Sequence, residues 1–554
     1  MIFVILINVG LINFQLIKNK IMKKILKLAA VAAFMCFNSQ LIAQAPVLGS
    51  VANFALFSSN GAVSNTGLSH LTGDVGTANG SSTNFGNVDG VMHDADGAAA
   101  SAAAALTLAY NQLNATISNF FPAPLLGNGQ ILPAGVYSIG QSAILDNTLT
   151  LDGGGNANAV FIFKIQGAFS STSGAKVVLT NGATACNVFW KVEGLVDLAT
   201  NTEMKGTLVA NNAAIVLNSG VTIEGRALST TGAVSVSGVT VTTPIGCGSP
   251  ILTGPALPVL NTVACYTIFT GSGTVTNSGI SLVTGDIGSN VGLTTGFDPL
   301  NVTGTIHSNP DISTAACALD LNNVYTYLNT LSTDIELLYP AAFGQDLVLT
   351  PHTYLLNAAT VLNGNVILNA QNNPDAVFVI KINGALSTGT YASVLLQNGA
   401  QAKNVFWKVD GAISLNDYSS FKGTLIGNNG AVNLNTGTSL EGRILTTTGA
   451  VATASITAVM TPGCSTLGTM SASSQNKFAT LYPNPFSSVL HITLDEAEVG
   501  SDLLIFNSAG SNVLKMRLTN KTTALDINVP AGIYFYQFKG KTGVQQSGKL
   551  ISKP

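Results

Sequence analysis

Charge is what this chain has least of. Of its 554 residues only 23 are Lys or Arg and 26 are Asp or Glu, 9% in all, against about 25% in an ordinary globular domain. A net charge of −3 leaves no basic footprint for a nucleic acid or an anionic membrane surface. Long apolar runs are missing as well: beyond residue 45 none approaches the roughly 20 residues that a spanning helix needs, although the mean hydropathy is +0.40. Cysteine is too sparse, 6 in the whole sequence, to build a disulfide scaffold; the bridges are staples at most. The five histidines, His70, His93, His307, His352 and His491, show no metal-ligand spacing, and no phosphate loop or nucleophile motif is present. No metal, cofactor or nucleic-acid partner is expected. Disorder is excluded by a hydrophobic content of 46%, because disordered chains pair low hydrophobicity with high charge. What remains is a large, apolar, β-rich protein whose surface is covered by Thr, Ser, Asn and Gly.

The two ends carry an address. The basic stretch Met22-Lys23-Lys24-Ile25-Leu26-Lys27, the apolar run Leu28 to Phe37 and the small residues before Gln44 read as a secretory signal, with Met22 as the expected start and cleavage expected after Ala43. Residues 1–43 are therefore assigned to the signal region. Residues 478–554 hold Tyr482-Pro483-Asn484-Pro485 followed by short alternating strands and the ending Gly548-Lys549-Leu550-Ile551. Their turn-separated spacing predicts a small β-sandwich. The YPNP motif, the Gly532-Ile533-Tyr534 strand and the GKL-I ending resemble the C-terminal sorting domain of type IX secretion. That resemblance implies passage across a Gram-negative outer membrane, with the secretion machinery as a partner, then release or surface display.

Between the ends lies a long repeat. Tyr137 to Cys247 aligns without gaps to Tyr354 to Cys464 at a constant offset of 217 residues, with about 49 of 111 positions identical. Upstream, Thr72-Gly73-Asp74-Val75-Gly76 matches Thr284-Gly285-Asp286-Ile287-Gly288. Two tandem domains follow, residues 47–247 and 262–464. A linker at 248–261 carries Pro250, Pro255 and Pro258, and a second linker spans 465–477. Within each copy, short runs of Val, Ile, Leu, Phe and Thr alternate at period two between Gly and Asn turns. Stacked solenoid coils produce that pattern, and so does a β-sandwich. One segment per copy breaks it: Asp94 to Ser118, with Leu106, Tyr110, Leu113 and Ile117 at helical spacing, and its counterpart after Pro310 with Leu321, Tyr325 and Leu328. Each predicts one helix, whose Ala-rich face suits close packing along the solenoid.

The set of T-G-D-[IV]-G, an Ala-rich helix, Asn187-Val188-Phe189-Trp190-Lys191-Val192, and Glu224-Gly225-Arg226 before Thr231-Gly232-Ala233-Val234 recurs in order in both copies. It resembles the microbial ice-binding protein family. The resemblance implies a mainly β chain of two tandem right-handed β-solenoids, each triangular with a long α-helix alongside. It also implies one flat face presenting Thr, Ser, Ala and Asn to an ice crystal, in a secreted or surface-displayed protein. Stiff, β-branched Thr suits ordered water, and few fixed charges would disturb it. Two such faces on one chain raise avidity if both reach one crystal plane. The alternative is a non-enzymatic adhesin or matrix protein on the cell surface that binds glycans or cells.

The face signature of that family, T-[A/G]-x-[T/N], matches once in full, at Thr184-Ala185-Cys186-Asn187, with near matches at Thr66-Gly67-Leu68-Ser69 and Thr436-Gly437-Thr438-Ser439. The counterpart of Thr184 is Gln401, followed by Lys403, so the first copy is the expected binder. The candidate face residues are Thr66, Thr184, Asn187, Thr207, Thr222, Thr240, Thr242, Thr436 and Thr438. Glu224 with Arg226, and Glu441 with Arg443, lie two apart on a strand and predict ion pairs on one face, which argues against the clustered carboxylates of an enzyme. Asp74 and Asp286 are expected to close Asx-turns, His93 and His307 to cap or turn the chain before each helix, and Trp190 and Trp407 to be core. Among the cysteines left after the signal, Cys186–Cys247 and Cys265–Cys317 are the expected pairs, with one left over.

Overall fold

The computed structural model describes residues 44–245, 252–307, 311–464, 478–507, 511–540 and 545–553. The signal region, the linker 465–477 and Cys247 lie outside the described residues. The chain divides into two compact units, one ending at Cys464 and the other beginning at Ser465.

The first unit contains two solenoids of parallel strands, each with a single long helix, α1 (Gly97–Ala115) and α2 (Ile312–Thr330). A coil of the first solenoid runs through Ile215–Leu217 and then Thr222–Ser229, an eight-residue strand that turns a corner at Gly225. Each coil thus shows three faces. In this coil the second face holds Ile215–Leu217, the third Thr222–Glu224, and the remaining residues join the face that α1 covers. Gly206 and Gly225 are register partners at the corner. A Cβ on Gly225 would stand 1.8 Å from the Gly206 carbonyl oxygen, so only glycine lets successive coils close here. Inward positions on all three faces are mostly aliphatic or aromatic, with Asn65 a buried polar exception, and Phe163, Trp190 and Phe169 stack through the core with centroids 4.1 and 5.1 Å apart. Trp190 and Trp407 are fully buried, as expected.

Spatial order departs from chain order. Strand Phe54–Ser58 lies between Thr222–Ser229 and Asp74–Thr77, and Val63–Thr66 stacks on Val234–Ser237. The earliest segments therefore form the last coils. The helix, at 1.5 Å per residue about 28 Å long, returns the chain to the opposite end, where coil building starts again at Leu125–Gly127. Its buried stripe, Ala99, Ala102, Leu106, Ala109 and Leu113, packs on Phe54, Phe57, Ile162, Phe189, Val209 and Leu228. Alanine lets the helix lie close to the sheet. Lys164 Nζ donates to the last-turn carbonyls of Asn114 and to Thr116, both at 2.8 Å, a favourable place for a cation. At the other end Asp96 caps α1 by accepting from Ala99 N–H, and it holds His93 Nδ1 at 2.6 Å. Asp311 and His307 do the same for α2.

Three local expectations are corrected. Arg226 does not pair with Glu224. The Gly225 corner puts the two on different faces: Arg226 points out of the coil into the layer beneath the helix and the N-terminal segment, where it donates to the Ala52 carbonyl at 2.7 Å, while Glu224 faces solvent and pairs with Lys205 at 2.7 Å. Arg443 likewise donates to Ala264 and Thr461, and Glu441 pairs with Lys422. Asp74 and Asp286 close no local turn; each accepts a backbone N–H from the next coil, of Val91 and Thr305. Cys265 is bonded to Cys464, whereas Cys317 is free and buried on α2. Cys186 is also disulfide-bonded; the expected Cys186–Cys247 pair lies outside the described residues.

Among the described residues, the second unit is a seven-stranded antiparallel sandwich. One sheet holds Ala479–Tyr482, Val489–Leu494 and Thr522–Asp526; the other holds Asn512–Arg517, Asp502–Asn507, Gly532–Lys539 and Gln545–Ser552. Leu490, Ile492, Leu503, Ile505, Phe538 and Leu550 fill the space between the sheets.

Candidate functional site

Parallel stacking puts equivalent residues of successive coils in rows, about 4.8 Å apart. The covered face is closed to solvent by its helix, so any large ligand meets the second or the third face. On the third face of the first solenoid, outward residues pair as His70, Thr240, Thr222, Glu203, Lys176 and Thr148 in one row. Thr72, Thr242, Glu224 and Lys205 form the row beside it. Four of these ten side chains are ionic. In the second solenoid the corresponding rows are Leu282, Thr457, Ser439, Ser420, Ser393 and Asn365, next to Thr284, Val459 and the Glu441–Lys422 pair.

The second face differs. In the second solenoid its outward row is Thr295, Thr276, Ala452, Asn433, Ser414, Ser387 and Val361, in unbroken strand register, with Ser278 beside Ala454. No charged side chain enters it. In the first solenoid the same row reads Thr83, Ser64, Ser235, Val216, Asp197, Ser170, Ile144 and Leu125. Its one ion, Asp197, accepts from Asn218 Nδ2 at 2.9 Å.

The candidate residues chosen from sequence scatter across this frame. Thr66 is exposed at the end of the second face, opposite Ser237. Thr222, Thr240 and Thr242 lie together on the third face, and Thr436 is exposed on the corner between the two faces. Thr207 and Thr438 are withdrawn from solvent altogether. Thr207 sits under the helix-covered face against Arg226, and the Thr438 hydroxyl turns into the coil toward the Leu415 and Asn416 carbonyls. Thr184 and Asn187 form no row. The T-A-x-N match is a single-turn 3₁₀ corner in which Asn187 Nδ2 reaches the Ala157 carbonyl at 3.2 Å and Ala185 is buried. Gln401 to Asn404 make the same corner, both amides donating to the Pro374 carbonyl. The Thr-to-Gln change therefore does not rank the two copies.

A different repeat marks the uncharged row. Gly384-Ala385-Leu386-Ser387, Gly411-Ala412-Ile413-Ser414, Gly430-Ala431-Val432-Asn433 and Gly449-Ala450-Val451-Ala452 recur at spacings of 27, 19 and 19 residues. The glycine forms the corner: a Cβ on Gly449, at φ 130°, would stand 2.3 Å from the Gly430 carbonyl oxygen. The aliphatic residue points into the core, and the fourth residue points out. That signal was available in the sequence.

A rigid, uncovered and uncharged array of small hydroxyls, amides and methyls defines a protein that works by surface contact. The comparisons give this class a family. The model described as Ice-binding-like matches residues 57–242 and 268–459, and the one described as Secretion system C-terminal sorting domain matches residues 480–553. A crystal structure of an ice binding protein from an Antarctic bacterium of the Flavobacteriaceae is similar at 72% identity and a TM-score of 0.75, covering 76% of this chain and 100% of that one. An ice-binding protein of Nostoc sp. (strain HG1) is 37% identical over 222 residues, 39% of this chain and 81% of its own length. One of Colwellia sp is 30% identical over 206 residues, covering 33% and 78%. The chain belongs to the ice-binding-like family, in two tandem copies. Its sorting domain points to type IX secretion and to a place outside the cell or on its surface.

Proposed function

We propose that this protein binds ice, without catalysis, and that the second face of its second solenoid makes the principal contact. The solenoids at 47–247 and 262–464 are the binding modules and residues 478–554 the export module. One observation carries the reading: the row from Thr295 to Val361 crosses seven coils with no ionic side chain. Ice offers a regular array of water dipoles. Short side chains held on in-register strands can order water at a matching period, with little entropy left to lose on contact. A fixed charge holds its own hydration shell, and removing that shell costs free energy. The third face, with its Lys422–Glu441 pair, meets that cost; the second face does not.

The test is thermal hysteresis of the mature protein. Ser414→Tyr places a ring in the middle of the uncharged row and is expected to reduce hysteresis by more than half. Ser439→Tyr, at an exposed site on the third face, is expected to leave it near the parent value. The reverse pattern would move the site to the third face. No ice shaping by the parent protein at tens of micromolar would refute ice binding.

A further inference from the structure

We infer that the two solenoids act as one binding plane, because the seam between them sets corresponding edges and faces side by side. The inference rests on the ice-binding reading above and adds a composite surface to it. The seam joins the last coils of the first solenoid to the first coils of the second. On the third face, strand His70–Thr72 lies alongside Leu347–Leu349, which belongs to the third face of the second solenoid. At the corner between second and third faces, Gly67 and Ser69 share a small cavity with Gly344 and Gln345, the same corner of the second solenoid. At the corner between third and covered faces, Asp89 is buried and accepts from Thr350 Oγ1 at 2.8 Å and Tyr354 OH at 2.5 Å. Thr350 and Tyr354 occupy that same corner of the second solenoid.

Like therefore meets like at two edges and along one face, and the strands of both solenoids run in the same sense around the coil. Two shared edges fix the rotation of one prism on the other about their common axis, so prisms of the same triangular section also align on the second face, which shares one of those edges, and the row through Ser64 and Thr83 then lies in the plane of the row through Val361 and Ser387. Asn87 bolts the rim: its side chain donates to the Tyr339 carbonyl at 2.9 Å and accepts from Tyr339 N–H at 2.9 Å. A buried carboxylate with two hydroxyl donors fixes orientation more strictly than apolar contact does. Two binding faces held in one plane engage a crystal together, whereas two faces on a free linker engage it with an effective concentration set by linker length.

The experiment compares four variants of the full mature chain by thermal hysteresis, with small-angle scattering to follow the distance between the solenoids. Ser235→Tyr blocks the first solenoid's row and Ser414→Tyr the second's. Asp89→Ala and Asn87→Arg break the seam, one inside and one at its rim, and neither touches an outward row. Both seam variants are expected to lengthen the particle and to lower hysteresis at least twofold, to the level of Ser235→Tyr. If Asp89→Ala fails to fold, Asn87→Arg carries the comparison. Seam variants that lengthen the particle yet keep full hysteresis would overturn the composite plane. Failure of Ser414→Tyr to reduce hysteresis would instead remove the face assignment beneath it.

Discussion

At the scale of single residues, the most informative pair is Glu441 and Arg443. Both are charged and two apart, yet they have opposite fates. Glu441 is about half exposed and pairs with Lys422 in solvent. Arg443 is fully buried and spends its guanidinium on the Ala264 and Thr461 carbonyls and the Thr461 hydroxyl, and burial lowers its pKa to about 10. Surface pairs contribute about 0–1 kcal/mol, whereas removing a buried donor strands its acceptors at about 1–3 kcal/mol each. Arg443→Ala is therefore expected to destabilise the second solenoid by about 2–4 kcal/mol, and Glu441→Ala by under about 1 kcal/mol. Urea unfolding of the two variants measures the difference. Alternation along the sequence placed both on one face. Alternation itself holds, with Leu440 and Ile444 in the core and Leu445 on the helix side; what changes at Gly442, the corner at φ 151°, is the face, so Glu441 points to solvent and Arg443 into the layer under the helix.

At the scale of elements, the coil is the unit, and most of it was readable from sequence. The strand content, the two helices with their apolar stripes and the His–Asp caps follow from local pattern and side-chain chemistry. The uncharged row was not readable from the T-A-x-N signature. A Thr-Ala pair followed by Asn builds a tight corner as readily as a surface row, and at Thr184 the backbone chose the corner. The G-A-x-[S/N/A] recurrence marks the row because glycine is required at one corner and an aliphatic residue must follow it into the core. The disulfide belongs to this scale too. Cys265 and Cys464 are 199 residues apart in sequence and 4.5 Å apart between Cα atoms, because the first strand of the copy, Tyr266–Thr270, packs on the late strand Ser439–Thr446. Sequence proximity favoured Cys317, but that thiol points into the helix–sheet core. The bridge closes nearly the whole copy, so Cys265→Ser with Cys464→Ser is expected to lower its stability by about 2–5 kcal/mol. A fall in the calorimetric melting temperature, with the first solenoid unaffected, is the corresponding readout.

At the scale of the whole molecule, the seam has its own pH signature. Burial raises the Asp89 carboxyl above the usual carboxylate range, against smaller lowering effects from His352, Tyr354 and Thr350. A raised acid pKa means that the folded chain binds more protons than the unfolded chain between the ordinary value and the raised one. Stability then falls as pH rises through that window and is level above it. Asp89→Asn removes one titrating group and is expected to flatten that slope, as followed by denaturant midpoints across the acidic range.

The sequence by itself determined the composition of this protein's surfaces, its duplication, its strands and helices, and its export. Each of these depends on neighbours within a few residues or on a direct comparison of one copy with the other. Only the tertiary structure decided which hydroxyls stand in a row, which arginine is buried, which cysteines meet, and how the solenoids join. The physical reason is the returning helix. By carrying the chain from one end of the coil stack to the other, it makes residues about 170 positions apart nearest neighbours, as Ser64 and Ser235 are. No local pattern records a contact of that kind.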